Sequence, residues 1–371
     1  MNKKSDIKAS PPGKPLHKET YAKAGVNISL KTKAIDRIRH IVGTTQGPEV
    51  LSGVGFYGGM YEFNNNKGTI LVSSVDGVGT KIKIALAMGK HDTIGTDIVN
   101  HCINDITCCG ARPLFFLDYI GTGKVVPERL ENIVKGLSEA CSEAGCALIG
   151  GEVAEMPGVY SGDDYDLVGF IIGQVDKNKV IVGKDIVAGD IVIGLPSSGL
   201  HTNGYTLVRK VLGDTQQALK KYYPSLGRTL GEELLEPHRS YYRQISPVLS
   251  LLKGIAHITG GGVIGNIPRI LPRGLAVKIE SSKWVIPPIF SLLQERGNID
   301  TREMYRVFNM GLGMVLVCAP DKANLLVKKV SGARIIGEVV KQKNPARVII
   351  DNTGYHSDKV KTSSTRARPS G

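Results

Sequence analysis

Residues 69–81 read TILVSSVDGVGTK. The run Thr69–Val75 predicts a buried strand that ends in Asp76-Gly77. Gly77 and Gly79 then let backbone N–H groups come close to a phosphate, Thr80 offers a hydroxyl, and Lys81 adds positive charge. Asp76, an acid at a strand end, can hold a hard cation through oxygen. An ordinary Asp-Gly turn with a solvated lysine would read the same way. In either case the chain leaves a buried strand through a loop, the place where α/β proteins put ligand groups.

The same alternation continues in both directions. Pro113–Ile120, Ala147–Gly151 and Asp166–Val175 read as strands. Pro127–Ala144 has helical periodicity, with Leu130, Ile133, Val134, Leu137 and Ala140 on one face, and Thr93–Cys109 carries a second apolar stripe. A second half begins near Lys179. It predicts strands at Asp190–Leu195, Ala256–Thr259, Leu312–Cys318 and Ala333–Val340. Helices are predicted at Thr202–Leu212, at Tyr241–Leu252 and from Gly262 through Ile270. The fold class is α/β (α+β), with two mixed α/β domains. The expected boundaries are a basic disordered tail at 1–20, domains at 21–178 and 179–351, and a second basic tail at 352–371.

A chain of 371 residues suits two domains at about 100–200 residues each; 42% of its residues are hydrophobic and 22% charged, which permits a sizeable core. No stretch has the roughly 18 consecutive apolar residues of a membrane span. The Lys-, Ser- and Pro-rich start lacks the apolar region of a secretory signal, so a cytoplasmic location is expected. None of the six cysteines forms C-x-x-C, and they read as core thiols in a reducing compartment. The net charge is +13, of which each tail carries +3. What remains is spread over the domains, and phosphorylated small substrates account for it as well as nucleic acid does. No run interleaves basic and aromatic residues for base stacking, so no nucleic-acid partner is required.

Gly53-Val54-Gly55-Phe56-Tyr57-Gly58 fits G-x-G-x-x-G, but Met60–Phe63 and the turn after it read as a strand and loop, where a dinucleotide site needs a helix. There is no P-loop. On the Thr93–Cys109 helix, Asp97, His101 and Asp105 lie at i, i+4 and i+8 with Asn104 beside them, either a ligand row or a solvated face. Glu152 and Glu155 fall in a loop-like stretch, Gly150–Gly158. Ser197–Gly204 follows a strand and opens a helix. There Ser198, His201, Thr202 and Asn203 form either an anion seat or a helix cap. Gly260, Gly261 and Gly262 repeat that logic at a second strand-to-helix junction.

These stretches, in this order, resemble the phosphoribosylformylglycinamidine cyclo-ligase (AIR synthetase) family. The matching segments are YAKAGVNI (21–28), SVDGVGTK (74–81), HDTIGTDIVNHCIND (91–105), PLFFLDYIGTGK (113–124), GGEVAEMPGVY (150–160), SSGLHTNGYTLVR (197–209), HITGGGVIGNIPRILP (257–272) and MYRVFNMGLG (304–313). The chain departs from the family pattern at Asn27, where Asp is usual, and at Leu200, where Pro is usual. The resemblance implies the AIR synthetase-like ATP-binding superfamily, which also contains selenophosphate synthetase and thiamine-phosphate kinase. It implies a homodimer whose N-terminal domains pair into a barrel-like sheet. The implied reaction turns formylglycinamidine ribonucleotide and ATP into aminoimidazole ribonucleotide, ADP and phosphate.

On that footing Asp76 and Asp105 are expected to hold Mg²⁺ on the ATP phosphates, with Asp97 and Asn104 in support and Gly77, Gly79 and Thr80 lining the phosphates. Lys81 is expected to stabilise the transferring phosphoryl group. His201, Asn203, Thr202 and Ser198 would hold a phosphate or move the proton lost on cyclisation. Gly260–Gly262 would take a second phosphate.

Overall fold

The computed structural model describes residues 18–24, 42, 44–52, 56–63 and 68–351. Asn27, the Gly53–Gly55 part of the glycine motif, the C-terminal tail and all of the N-terminal tail before Lys18 lie outside them. Lys18 and Glu19 depart from the tail expected through residue 20: the Lys18 ammonium lies 2.9 Å from Asp300, and Glu19 N–H donates to the Gly297 carbonyl.

The first sheet comprises β1 (Gly59–Phe63), β2 (Thr69–Gly77), β3 (Arg112–Thr122), β4 (Ala147–Glu155) and β5 (Tyr165–Asp176), in the order β1-β2-β5-β3-β4. Along β2, Ile70 and Val72 alternate inward and are fully buried. One face of the sheet is covered by α2 (Asp92–Thr107) and α3 (Pro127–Ala144); the shorter α1 (Lys81–Met88) follows β2 directly. Proline at the first turn of α3 suits a position that needs no N–H partner. Gly145 ends the helix in the left-handed region, its N–H returning to Cys141 and Ser142. α2 and α3 pack backbone to backbone, because any Cβ at Gly95 or Gly136 would strike the facing main chain. α2 is buried on nearly every side, its polar residues included, which removes the solvated-face reading.

The second sheet comprises β6 (Ile191–Pro196), β9 (Gly254–His257), β10 (Leu275–Glu280), β11 (Leu312–Cys318), β12 (Arg334–Lys341) and β13 (Val348–Asp351), in the order β13-β10-β12-β6-β11-β9. A two-residue hairpin, β7 (Tyr222–Tyr223) with β8 (Arg228–Thr229), stands apart. β11 lies inside the sheet and every one of its residues is buried, as its unbroken apolar run requires.

Four sequence expectations are corrected. β4 continues through Glu155, so the Gly150–Glu155 stretch is an exposed sheet strand and not a loop. The helix expected from Thr202 starts at Tyr205 (α4, Tyr205–Leu212), since His201 and Gly204 both take left-handed backbone angles. The Tyr241–Leu252 helix is α-helical only over Tyr242–Ile245; Pro247 then carries it into a 3₁₀ turn. The helix after Gly262 stops at Asn266 (α5, Gly262–Asn266), and a 3₁₀ turn containing Pro268 follows.

Candidate active site

The two sheets meet along α2. Its polar residues face the second half of the chain and bind an extended segment, Glu236–Tyr241. Asn100 donates to the His238 carbonyl at 2.8 Å. Asn104 donates to the Arg239 carbonyl at 2.8 Å and accepts from Tyr241 N–H at 2.9 Å. Asp97 accepts from His238 N–H at 2.7 Å. Asp97 also faces Lys81 at 2.8 Å, and Lys81 donates to the Glu236 carbonyl at 2.7 Å. Burial pushes the Lys81 ammonium down and the Asp97 carboxyl up, and each opposes the shift of the other through its charge. Lys81 is therefore not a solvated cation at the mouth of the Asp76 loop. Together, Lys81, Asp97, Asn100 and Asn104 clamp one half of the chain to the other.

The remaining polar residues of α2 build a different cluster. His101 Nε2 lies 3.0 Å from Asp76 and 4.0 Å from Asp105. Asp76 sits at the end of β2 with its side chain half exposed; its own Oδ1 accepts from Gly77 N–H at 2.7 Å. Asp105 is held from two sides. Ser74 Oγ donates to one oxygen at 3.2 Å, and His257 Nδ1 lies 2.8 Å from the other. Burial alone would lower the His101 pKa, but Asp76 first, then Asp105 and Asp97, raise it to about 9.

From His101 a hydrogen-bonded chain runs inward. His101 Nδ1 meets Thr202 Oγ1 at 2.9 Å, Thr202 Oγ1 meets His238 Nδ1 at 3.4 Å, and His238 Nε2 meets His257 Nε2 at 3.0 Å. A charged His101 donates from both nitrogens, so Thr202 accepts from it and donates to His238. Asp105 can only accept, which places the His257 hydrogen on Nδ1 and leaves its Nε2 lone pair facing His238. Burial, reinforced by the neighbouring positive charge, drives His201 and His238 well below the usual histidine range. His257 moves the same way, against the pull of Asp105.

His201 completes the cluster. It stacks on His238 with ring centroids 4.0 Å apart and holds φ +60°, unusual for a non-glycine residue. Ser198 N–H donates to its Nε2 at 3.2 Å; its Nδ1 is buried and has no hydrogen-bond partner among the described residues. Asn203 Nδ2 reaches Thr202 Oγ1 at 3.5 Å, and its Oδ1 lies against Gly260. Gly261 and Gly262 both hold positive φ where α5 starts, and Gly262 has no room for a side chain against the Tyr305 and Phe308 carbonyls. Thr80 Oγ1 lies 3.1 Å from Thr206 Oγ1, so the Asp76 loop, with Gly77 and Gly79, borders the Ser198–Asn203 turn.

The structure thus brings together Asp76, His101, Asp105, His201, Thr202 and Asn203, and sets Lys81, Asp97 and Asn104 apart as the interdomain clamp. Glu152 and Glu155 project from the exposed strand β4 and take no part in the cluster. Sequence reasoning missed His238, which lies in a segment with no periodicity. It quoted His257 but gave it no role, though a polar residue closing an apolar strand just before three glycines was a usable signal. Two oxygen donors converging on one point, flanked by glycine loops and buried imidazoles, can hold a cation with phosphates. The cationic His101 ring already sits between the two carboxylates.

The fold and the site together define a class: the chain matches the family models for AIR synthase related protein, N-terminal domain, over residues 58–175, and C-terminal domain, over residues 187–350. The solved structures agree at the level of the fold alone. Thiamine monophosphate kinase from Aquifex aeolicus superposes with a TM-score of 0.59 at 15% identity, covering 88% of this chain and 98% of that one. A structure described as AaThiL complexed with AMPPCP and TMP gives 0.60 at 15% identity, covering 88% and 95%. The sequence is more specific. The phosphoribosylformylglycinamidine cyclo-ligase of Acetivibrio thermocellus is 52% identical over 332 residues, covering 87% of this chain and 98% of that protein. The protein of the same name from Bacillus cereus strain G9842 is 52% identical over 332 residues, covering 86% and 95%. The chain belongs to the phosphoribosylformylglycinamidine cyclo-ligase family of enzymes. Among the described residues no helix is long and apolar enough to cross a membrane.

Proposed function

We propose that this chain closes the imidazole ring of aminoimidazole ribonucleotide, using ATP and formylglycinamidine ribonucleotide and releasing ADP and phosphate. The observation that carries the reading is the convergence of Asp76 and Asp105 on His101, at 3.0 and 4.0 Å, beside the glycine loops. ATP use is supported by the fold neighbour whose description includes AMPPCP.

The formyl amide oxygen is a poor leaving group. Transfer of the γ-phosphoryl group to that oxygen makes it one, and the neighbouring amidine nitrogen then closes the ring as the oxygen departs in phosphate. No covalent enzyme nucleophile is needed. The work of the protein is positioning and charge neutralisation. Asp76 and Asp105 fit Mg²⁺, because both are hard oxygen donors and already enclose a positive group. Bound there, Mg²⁺ supplies charge to the phosphates. Asn203 and Gly260–Gly262 line the neighbouring phosphate seat. His201 Nδ1, a buried N–H with no acceptor in reach among the described residues, is placed to donate to a substrate oxygen. Thr202 and His238 hold its surroundings in one arrangement of hydrogens.

The finer organisation follows the same reading. The two domains span 21–178 and 179–351. The outer face of the first sheet exposes Val75 and Phe170. Val75 and Phe170 are register partners across β2 and β5. An apolar sheet face of this kind fits pairing with a second copy into a barrel-like sheet. Six buried free thiols fit a cytoplasmic location. The test is oxygen tracing: substrate labelled with ¹⁸O in the formyl group is turned over, and the phosphate is collected. Label in the phosphate supports the mechanism, whereas label lost to water with unlabelled phosphate overturns it.

A further inference from the structure

Cys141 and Cys146 stand where α3 gives way to β4. Gly145 takes φ +68° between them, its N–H donates to the Ser142 carbonyl at 3.1 Å, and Cys146 N–H donates to the Cys141 carbonyl at 2.9 Å. This pair of closures is a Schellman turn, which brings the side chains of its first and last residues together. Here both of those residues are cysteines. Their side chains turn inward, 1% and 6% exposed, and the Cys141 S–H donates to the Cys146 sulfur. The main-chain hydrogen bond between the two residues keeps their Cα atoms within the span of a disulfide, about 4.4–6.8 Å.

The pair differs from the other four thiols. Burial raises Cys102 and Cys108 well above the usual thiol range, Cys109 to about 12 and Cys318 to about 11. Cys146 moves down, because the hydrogen bond from Cys141 favours its charged form against the effect of burial. The thiolate is the reactive form of cysteine. The cover over the pair is also thin. Ser142, Glu143, Gly145 and Ala147 are exposed, and a Cβ at Gly145 would meet nothing within 4 Å. Helix ends open locally at little free-energy cost, which admits a small oxidant.

We infer that Cys141 and Cys146 form a site of reversible oxidation by a peroxide, with Cys146 as the attacking thiol and Cys141 as its resolving partner. Cys146 releases its proton and its sulfur attacks one oxygen of H₂O₂. The O–O bond breaks, and hydroxide leaves and takes up that proton as water. The Cys141 sulfur then attacks the sulfenic sulfur of Cys146, the S–O bond breaks, and a second water leaves with the Cys141 proton. Two thiols are oxidised to one disulfide, and H₂O₂ is reduced to two waters. A dithiol reductant restores the pair by exchange and becomes a disulfide itself. The bridge spans a turn that is already closed, and it withdraws Cys146 from irreversible oxidation to the sulfinic acid. The inference does not depend on the identity of the substrate.

The reduced full-length protein is exposed to excess H₂O₂ in its native state, quenched at intervals, unfolded, alkylated with N-ethylmaleimide and mapped by mass spectrometry. A glutamate-specific protease cuts between the two cysteines at Glu143, so the fragments on either side stay joined only through a disulfide. The expected result is joined fragments that dithiothreitol separates, with the other four cysteines alkylated. Cys146 should lose its thiol about 10-fold or more faster than Cys318, as their difference in thiolate character requires. Cys141→Ser should let the Cys146 sulfenic acid build up, where dimedone traps it, and Cys146→Ser should leave Cys141 a thiol. Six alkylated thiols after the exposure, a bridge from Cys141 to Cys102, or loss of the Cys146 thiol no faster than that of Cys318 would each overturn the proposal. Should the variants not fold, the map of the unmutated protein decides alone.

Discussion

Lys81 Nζ and the Asp97 carboxylate stand 2.8 Å apart, with neither side chain exposed to solvent. The pair joins the start of α1 to the middle of α2. Through the Glu236 carbonyl and His238 N–H it also fixes the segment that carries His238. A lysine predicted to face phosphate is in this structure part of the frame that holds the histidine cluster.

Removing one member of such a pair leaves a buried charge without a counter-ion, at a cost of about 3–5 kcal/mol. Lys81→Met should lower unfolding stability by that order, and Lys81→Met/Asp97→Leu should recover a substantial part of it. Urea denaturation of the single and double variants measures both. Equal stabilities for Lys81→Met and the unmutated protein would show that the pair does not hold the frame.

Asn104 makes two hydrogen bonds to the Arg239–Tyr241 backbone. Asn104→Ala leaves the buried Tyr241 N–H unpaired, at about 1–3 kcal/mol, and frees the part-buried Arg239 carbonyl at a smaller cost. Hydrogen exchange at Tyr241 should accelerate in this variant. Unchanged protection there would mean that the clamp lies elsewhere.

The metal assignment rests on Asp76 and Asp105. Asp105→Asn should reduce turnover by about 100-fold or more, the scale seen when one preorganised electrostatic group is lost. It should also raise the Mg²⁺ concentration needed for half-maximal rate. A folded Asp105→Asn protein with unchanged turnover removes this assignment.

His91 precedes α2 and meets Tyr165 Oη at 3.0 Å. Burial, aided by Arg129, lowers its pKa from 6.5 to about 4. The folded form therefore binds fewer protons than the unfolded chain between those values. Its contribution to stability is complete above about pH 6.5, declines as the pH falls, and levels off below about 4. Melting temperatures between pH 7 and 5 should fall less steeply for His91→Gln than for the unmutated protein; parallel slopes would contradict this.

The outer face of the first sheet gives a solution test. Val75→Asp combined with Phe170→Asp places two charges on neighbouring strands of that face and should convert a dimer into a folded monomer in sedimentation equilibrium. A monomer before mutation, or a dimer indifferent to it, argues against pairing through this face.

Much of this was legible in the sequence. β2, β3, β5 and β11 announce themselves as apolar runs, and α3 by its stripe and terminal Pro127 and Gly145. The site was legible wherever a strand ran into glycine, as at Asp76 and at Gly260–Gly262. The division of labour along α2 was not. Asp97, Asn100, His101, Asn104 and Asp105 look alike as polar residues on one helix, and only their partners, more than a hundred residues away for most of them, separate clamp from cluster. His238 carries no local signal, because its position is set by hydrogen bonds from α2 to the backbone of an irregular segment. Periodicity also says nothing of left-handed residues such as His201, which is why α4 starts later than its pattern suggested.

The central claim is ring closure driven by ATP. The most direct measurement mixes the protein with formylglycinamidine ribonucleotide, ATP and Mg²⁺ and follows the aminoimidazole product and ADP together. The account predicts one imidazole for each ADP, with no ADP formed when the ribonucleotide is left out. ADP without imidazole, or neither product from folded protein, would contradict it.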